Sequence, residues 1–475
     1  MKGARVLIAA LTAVLPPLVP VLAADAAPAA GTAPATGAAP AAAPAPAAGA
    51  ALAAPGGWSF DAGGDMRVRQ ELFLIPINRD PPGYTRGGEN NYFRIRPRVW
   101  GQISAPEIFS LRARLAQEFR HYEQPRNDSQ DYPDEWVADN LYLDANGLFD
   151  GAVDARIGRQ DLMYGNGRVI LEGTPKDGSR TIYIDAAKIT LKTLVPETTI
   201  DLLGIYTEPE NELAINRLNR DLNGQTAAFD GITESGGGVY LKNKSLAKMP
   251  FEAYYLYKQE SDWDSGPATN RVHHDTLNLH TAGVRLMPKF TDAIDGNLEA
   301  AYQVGEQGDA DVTGAMVDAF VRARLMPTWE PTAKLGWYYL SGDDPNTSDI
   351  EGWNPLWARW PQYSELYIYA WDADGAARWS NFNMPYAEVT FAPCAWFKGS
   401  AMAGYMMAPE DDGPGPGNDR GWLYVAKAEF TLFKGLLTKR DKLTGHLWLE
   451  IVDPEDYYRV SNMCYFGRWQ LMYEF

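Results

Sequence analysis

The sequence predicts an all-β protein: an 18-stranded antiparallel transmembrane β-barrel with short periplasmic turns and long extracellular loops. Three observations predict it. From Trp58 onward the chain repeats segments of about ten residues in which apolar and polar side chains alternate. The connections between those segments alternate short and long, as periplasmic turns and outer loops do. The last segment, CYFGRWQLMYEF, alternates, is rich in aromatics and ends on Phe475.

The chain opens with a secretion signal. Lys2 and Arg5 supply the charged start, Val6–Leu15 the apolar run, and Ala23, Ala24 and Ala26 the small residues of a cleavage site near Ala24. Pro16, Pro17 and Pro20 break the run, which argues against a membrane anchor helix. Residues 25–56 are almost purely Ala, Pro, Gly and Thr, too poor in large apolar side chains to fold, so this segment reads as a disordered arm. The expected organisation is a signal peptide at 1–24, the arm at 25–56 and the barrel at 57–475.

After the signal no stretch reaches the roughly 18 apolar residues that a membrane helix needs. Strands are placed near 62–76, 91–104, 109–122, 135–146, 152–161, 181–194, 197–208, 235–243 and 250–260 in the first half. The second half gives 275–287, 296–306, 313–325, 331–341, 378–393, 396–408, 420–433, 440–452 and 464–475. Short gaps include Ser104–Ile108, Leu194–Thr198 and Ala392–Trp396; long ones include Leu162–Arg180, Thr207–Glu234 and Ser341–Arg378. With the N-terminus inside, the long gaps all fall on the outer side, and the count is even, as in bacterial single-chain barrels. Tyr363–Trp371 is assigned to the long loop after Leu340, which keeps that parity. A final strand ending in Phe resembles the signal read by the outer-membrane barrel-assembly machinery, so that machinery and outer-membrane lipid are expected partners, with the bacterial outer membrane as location.

In a membrane barrel the apolar face meets lipid and the other face meets the lumen. In NYFRIRPRVW, Phe93, Ile95 and Val99 alternate with Arg94, Arg96 and Arg98. That assigns the three arginines to the interior. The same spacing puts Arg67, Arg69, Arg112, Arg114, Arg322, Arg324 and Arg468 on the lumen face. Strands one, two, three and eighteen are neighbours in a closed barrel, so Arg67, Arg69, Arg94, Arg96, Arg98, Arg112, Arg114 and Arg468 should share one wall. Between Asp65 and Arg180 there are fifteen Arg and one Lys. Arg grips planar carboxylates through two parallel hydrogen bonds, where Lys would supply only point charge. The bias points to an anionic, carboxylate-bearing solute. The competing structural reading is an arginine ladder neutralised by acids such as Glu71, Glu118 and Asp154. Pro97 interrupts the strongest arginine strand, which calls for a bulge or a bend there.

Catalytic motifs are missing: there is no G-x-S-x-G, H-E-x-x-H, C-x-x-C or P-loop. No enzyme activity, cofactor or metal is expected. His273, His274 and Asp275 read as a solvated loop end, and Asp343, Asp344 and Asp349 do not follow EF-hand spacing. Cys394 and Cys464 are too few for a disulfide framework, though a single bridge is open to them. A net charge of −18 argues against nucleic acid as a partner.

The stretch ARIGRQDLMYGNGRVILEGTPKDGSRTIYIDAAKITL (Ala155–Leu191) resembles the bacterial alginate-export porin family. The resemblance rests on Gly158-Arg159-Gln160, Tyr164-Gly165, Arg168, and Arg180 followed by Tyr183 and Asp185. The opening R-x-R-x-E and Y-F-R-x-R strands and YYLSGDDPNTSDIEGWNPLW (Tyr338–Trp357) are also similar to the family. The Ala/Pro arm and the Thr-Ile-Tyr-Ile-Asp after Arg180 depart from its pattern. The resemblance implies an 18-stranded barrel with an electropositive pore, and adds Arg159, Arg168 and Arg180 to its lining. It implies passage of an anionic polysaccharide, with alginate the leading candidate. Uptake of small carboxylates or oligosaccharides stays open, as does an adhesin or barrel enzyme acting through its loops.

Overall fold

A computed structural model describes residues 52–53, 57–74, 89–106, 108–124, 136–172, 183–192, 195–207, 232–265, 272–358, 360, 362–366, 379–411, 413, 415–458 and 462–475. The expected signal peptide and most of the expected arm lie outside them, as does Arg180.

Eighteen strands follow one another around a closed antiparallel sheet. They are β1 (Ser59–Leu74), β2 (Glu89–Ser104), β3 (Phe109–Ala116 with Phe119–Gln124), β4 (Val137–Gly147), β5 (Val153–Gln160) and β6 (Ile184–Leu191). Then come β7 (Thr198–Thr207), β8 (Glu234–Asn243), β9 (Phe251–Glu260), β10 (Leu277–Leu286), β11 (Ile294–Gln307) and β12 (Ala310–Arg324). The last third is β13 (Thr332–Leu340), β14 (Phe382–Cys394), β15 (Phe397–Met407), β16 (Asp419–Lys434), β17 (Lys442–Asp453) and β18 (Cys464–Glu474). Closure comes from β18 pairing with β1, from Asp65 opposite Glu474 to Leu74 opposite Tyr465. Among the described residues no helix is long and apolar enough to cross a membrane.

The period-two pattern sorts the side chains. Val99, Ile103, Leu111, Leu143, Ile157, Val321, Leu335 and Leu449 are exposed on the outer surface, while Arg67, Arg69, Arg96, Arg112, Arg114 and Arg468 are buried inside. An apolar belt this extensive marks a contact surface on any soluble protein; on a barrel it is the lipid face.

The alternation of short and long connections has one exception. β11 and β12 are joined at the loop end by Gly308 and Asp309 alone. Gly308 takes φ +60°, the left-handed conformation that a two-residue hairpin needs. Cys394 lies at the turn end and Cys464 at the loop end, so the open bridge between them does not form.

Pro97 is accommodated where the β2–β3 ladder opens. Arg98 pairs with Ala116 and Ile95 with Phe119, leaving Gln117 and Glu118 opposite Pro97 and Arg96. The Gln117 N–H donates to the Pro97 carbonyl at 3.1 Å. Pro97 has no N–H to return, so the sheet loses one bond at that position. A Pro97→Val change restores the donor and keeps an apolar side chain on the lipid face. It should raise the urea midpoint of unfolding, corresponding to about 1 kcal/mol; an unchanged or lower midpoint would show that the opening is not due to proline.

Candidate pore and its constriction

Glu118, released from the ladder beside Pro97, becomes the hub of the arginine wall. It accepts from Arg67 Nη2 at 2.7 Å and from Arg94 Nη2 at 2.7 Å. Glu71 lies 3.0 Å from Arg69 Nε and 3.5 Å from Arg94, and accepts from Arg468 as well. Asp65 holds Arg98 at 2.7 Å and Arg96 at 3.7 Å. One strand over, a register shift between Arg114 and Leu115 bulges Asp139 inward. Arg114 then takes Asp139 at 2.8 Å and Asp161 at 3.0 Å. The eight arginines expected on one wall are brought together there.

Most arginines of that wall pair with acids, which they outnumber. Arg67, Arg69, Arg94, Arg96, Arg98, Arg112, Arg114, Arg120 and Arg468 face Asp65, Glu71, Glu118, Asp139, Asp161 and Glu365. Among the described residues no carboxylate lies within ion-pair distance of Arg112 or Arg120. Each rests on an aromatic ring: Arg112 is 4.1 Å from the Trp100 centroid and Arg120 5.3 Å from that of Tyr92. Arg120 donates to the Tyr122 hydroxyl at 3.2 Å.

The remaining predicted arginines lie elsewhere. Arg322 and Arg324 share Asp295 at 2.9 Å near the turn end of β12. Arg159 pairs with Asp185 at 2.8 Å and lies 3.7 Å from the Tyr183 ring centroid. Arg168 belongs to the loop after β5 and reaches across to Asp318 on β12 at 2.9 Å.

That loop folds inward. Tyr164 packs against Tyr240 at 4.4 Å between centroids, the rings tilted 39° to one another, and donates to Asp201 at 2.9 Å. Arg285 on β10 donates to Asn166 at 2.8 Å. The loop after β13 folds inward beside it: Leu171 N–H donates to the Trp357 carbonyl at 2.8 Å and Trp360 Nε1 to the Gly167 carbonyl at 2.8 Å. Lys258, held between Glu234 at 2.9 Å and Glu260 at 2.6 Å, donates to the Leu356 carbonyl at 3.1 Å. Tyr386 reaches the same loop by lying over Gly336, where a Cβ would sit 2.3 Å from its ring; its ring meets Tyr363 at 5.2 Å.

The segment 362–366 then straps across to the arginine wall. Gln362 and the Tyr363 hydroxyl meet Arg168. Buried Glu450 on β17 accepts from Ser364 Oγ, from Glu365 N–H at 2.9 Å and from Leu366 N–H at 3.2 Å. Glu365 itself places a carboxylate oxygen 2.6 Å from Arg468 Nη2. The strap thus lies against the arginine wall and adds the Glu365 carboxylate to it.

Sequence reasoning missed Arg120, Arg285 and the Glu450–Glu365 anchorage. Arg120 keeps the parity of Arg112 and Arg114 after an interruption at Glu118, a signal present in the sequence. His274 stacks on Trp263 at 4.2 Å, and among the described residues no group of three His, Cys, Asp or Glu could hold a metal.

The sequence profile of the family described as alginate export matches residues 59–412. The chain belongs to the alginate export family. No curated protein sequence matches it. Among solved structures, Pseudomonas aeruginosa OccK9 (OpdG) is similar at TM-score 0.55 and 9% identity, covering 87% of this chain and 98% of that one. P. aeruginosa OccK2 (OpdF) in complex with glucuronate is similar at TM-score 0.53 and 12% identity, covering 87% and 98%. P. aeruginosa OccK3 (OpdO) is similar at TM-score 0.52 and 11% identity, covering 87% and 96%. At such identities the likeness is one of fold. This alginate export family member is an outer-membrane channel and not an enzyme.

Proposed function

We propose that the barrel passes a carboxylate-bearing polysaccharide, an alginate-like polyuronate, along its arginine wall. The observation that carries this reading is the spacing of guanidiniums on three adjacent strands, in surplus over the acids they face. A polyuronate presents one carboxylate per sugar. Guanidiniums already shared between carboxylates exchange partners readily, because each old contact is replaced as a new one forms. Repeated binding of moderate strength lets a chain both arrive and leave. No chemical step is involved.

Uptake of small carboxylates is the second reading. The inward loops favour it, since they narrow the lumen, and the glucuronate bound to the structurally similar OccK2 accords with it. Reversal potentials in planar bilayers under a salt gradient test the charge preference common to both. Anion selectivity is expected; cation selectivity would overturn both readings. Block by polymannuronate, with weak block by free glucuronate, would favour the polymer.

A further inference from the structure

Resting on that reading of the pore, we infer that the turn-side mouth holds a capture site for uronate sugars, built from Arg112, Trp100 and Tyr142. Trp100 on β2 lies opposite Gly63 on β1, where a Cβ would come within 2.8 Å of the indole. The glycine thus gives the indole its seat against the wall. Arg112 on β3 lies over the same ring, 4.1 Å from its centroid. Tyr142 on β4 stands directly opposite Arg112 in the ladder, and Arg156 on β5 lies 4.0 Å from the Tyr142 centroid. Arg156 is paired with Asp144 at 2.6 Å, whereas among the described residues Arg112 has no carboxylate within ion-pair distance and donates weakly, at 3.4 Å, to Gln102.

All of these residues lie three to five positions from the turn ends of their strands. The site therefore precedes the acid-paired arginines for a chain arriving from that side. Its two chemistries match a uronate: aromatic faces pack against the apolar face of a pyranose, and an uncompensated guanidinium receives its carboxylate. An arginine already backed by an indole is held in place, so less side-chain entropy is lost on capture. The interior arginines that share a carboxylate then suit hand-over better than capture.

The test uses the full-length protein in planar bilayers, with each channel's orientation read from the asymmetry of its current–voltage curve. A mannuronate hexamer, or a neutral mannose hexamer, is added to one side at a time. Arg112→Gln and Trp100→Leu should each lower the rate of block from the turn side about tenfold, while block from the loop side changes little. Trp100→Phe, which keeps an aromatic face, should retain most of the turn-side block. An equal loss from both sides would place the residues in the general conduit and overturn the capture site. So would an unchanged rate, or equal block by the neutral hexamer. Absence of mannuronate block in the unsubstituted channel would overturn the polyuronate reading itself, which separates the two failures.

Discussion

Replacing Glu450 by Gln is expected to open the constriction. Glu450 receives three hydrogen bonds from the strap: the Ser364 hydroxyl and the N–H groups of Glu365 and Leu366. A glutamine amide offers one accepting oxygen, and its NH2 repels the donors facing it. Hydrogen bonds to charged groups contribute about 1.5–3 kcal/mol each. A loss of about 3 kcal/mol raises the released population of the strap on the order of a hundredfold. Single-channel conductance should rise roughly twofold or more, with added open-channel noise from the freed strap. A conductance equal to that of the unsubstituted channel would show that segment 362–366 does not govern the pore.

The second large effect is expected from Arg94, Arg96 and Arg98 replaced together by Ala. Their removal leaves the other six arginines of the wall matched by its six carboxylates, so anion preference should fall toward none. Stability should fall too. Glu118 loses Arg94 and Asp65 loses both of its arginines, and breaking a buried pair costs about 3–5 kcal/mol. Because a poorly folded barrel would confuse the result, the companion variant replaces the three by Lys. Charge is then kept, so selectivity should persist, while the two-pronged grip on carboxylates is lost and polyuronate block should weaken. Unchanged selectivity in the Ala variant would show that this wall does not face the permeating ions.

These two sites differ in how far they could be read from sequence. The arginine wall was legible because parity along a strand is a local property. Once Arg94, Arg96 and Arg98 alternate with Phe93, Ile95 and Val99, and strand eighteen closes on strand one, the cluster follows from topology. Strand number was legible for the same reason, with loop alternation fixing parity; only the Gly308–Asp309 hairpin escaped the pattern. The carboxylates that divide the charge were harder to read. Asp139 reaches Arg114 through a bulge, and Glu118 reaches two arginines through an opening set by a proline on another strand. Such local departures depend on the partner strand rather than on the residues themselves. The strap was not legible at all. Its path is set by Glu450, Asp318 and Arg468, each distant in sequence from Gln362–Leu366, and no periodicity in the loop announces them.

Pro97 shows how one irregularity connects these levels. Its missing N–H opens the β2–β3 ladder; the opening frees Glu118; Glu118 gathers Arg67 and Arg94 into one cluster. The like charges along Arg94–Arg98 are tolerable in the folded barrel because that carboxylate and Asp65 lie between them.

The central claim is that a polyuronate moves through this barrel. It is tested most directly by single-channel recording with polymannuronate on one side and voltage drawing it across. The account predicts transient blocks whose duration shortens as voltage rises, because a stronger pull carries the chain through. Blocks that only lengthen with voltage, or none at all, would contradict it.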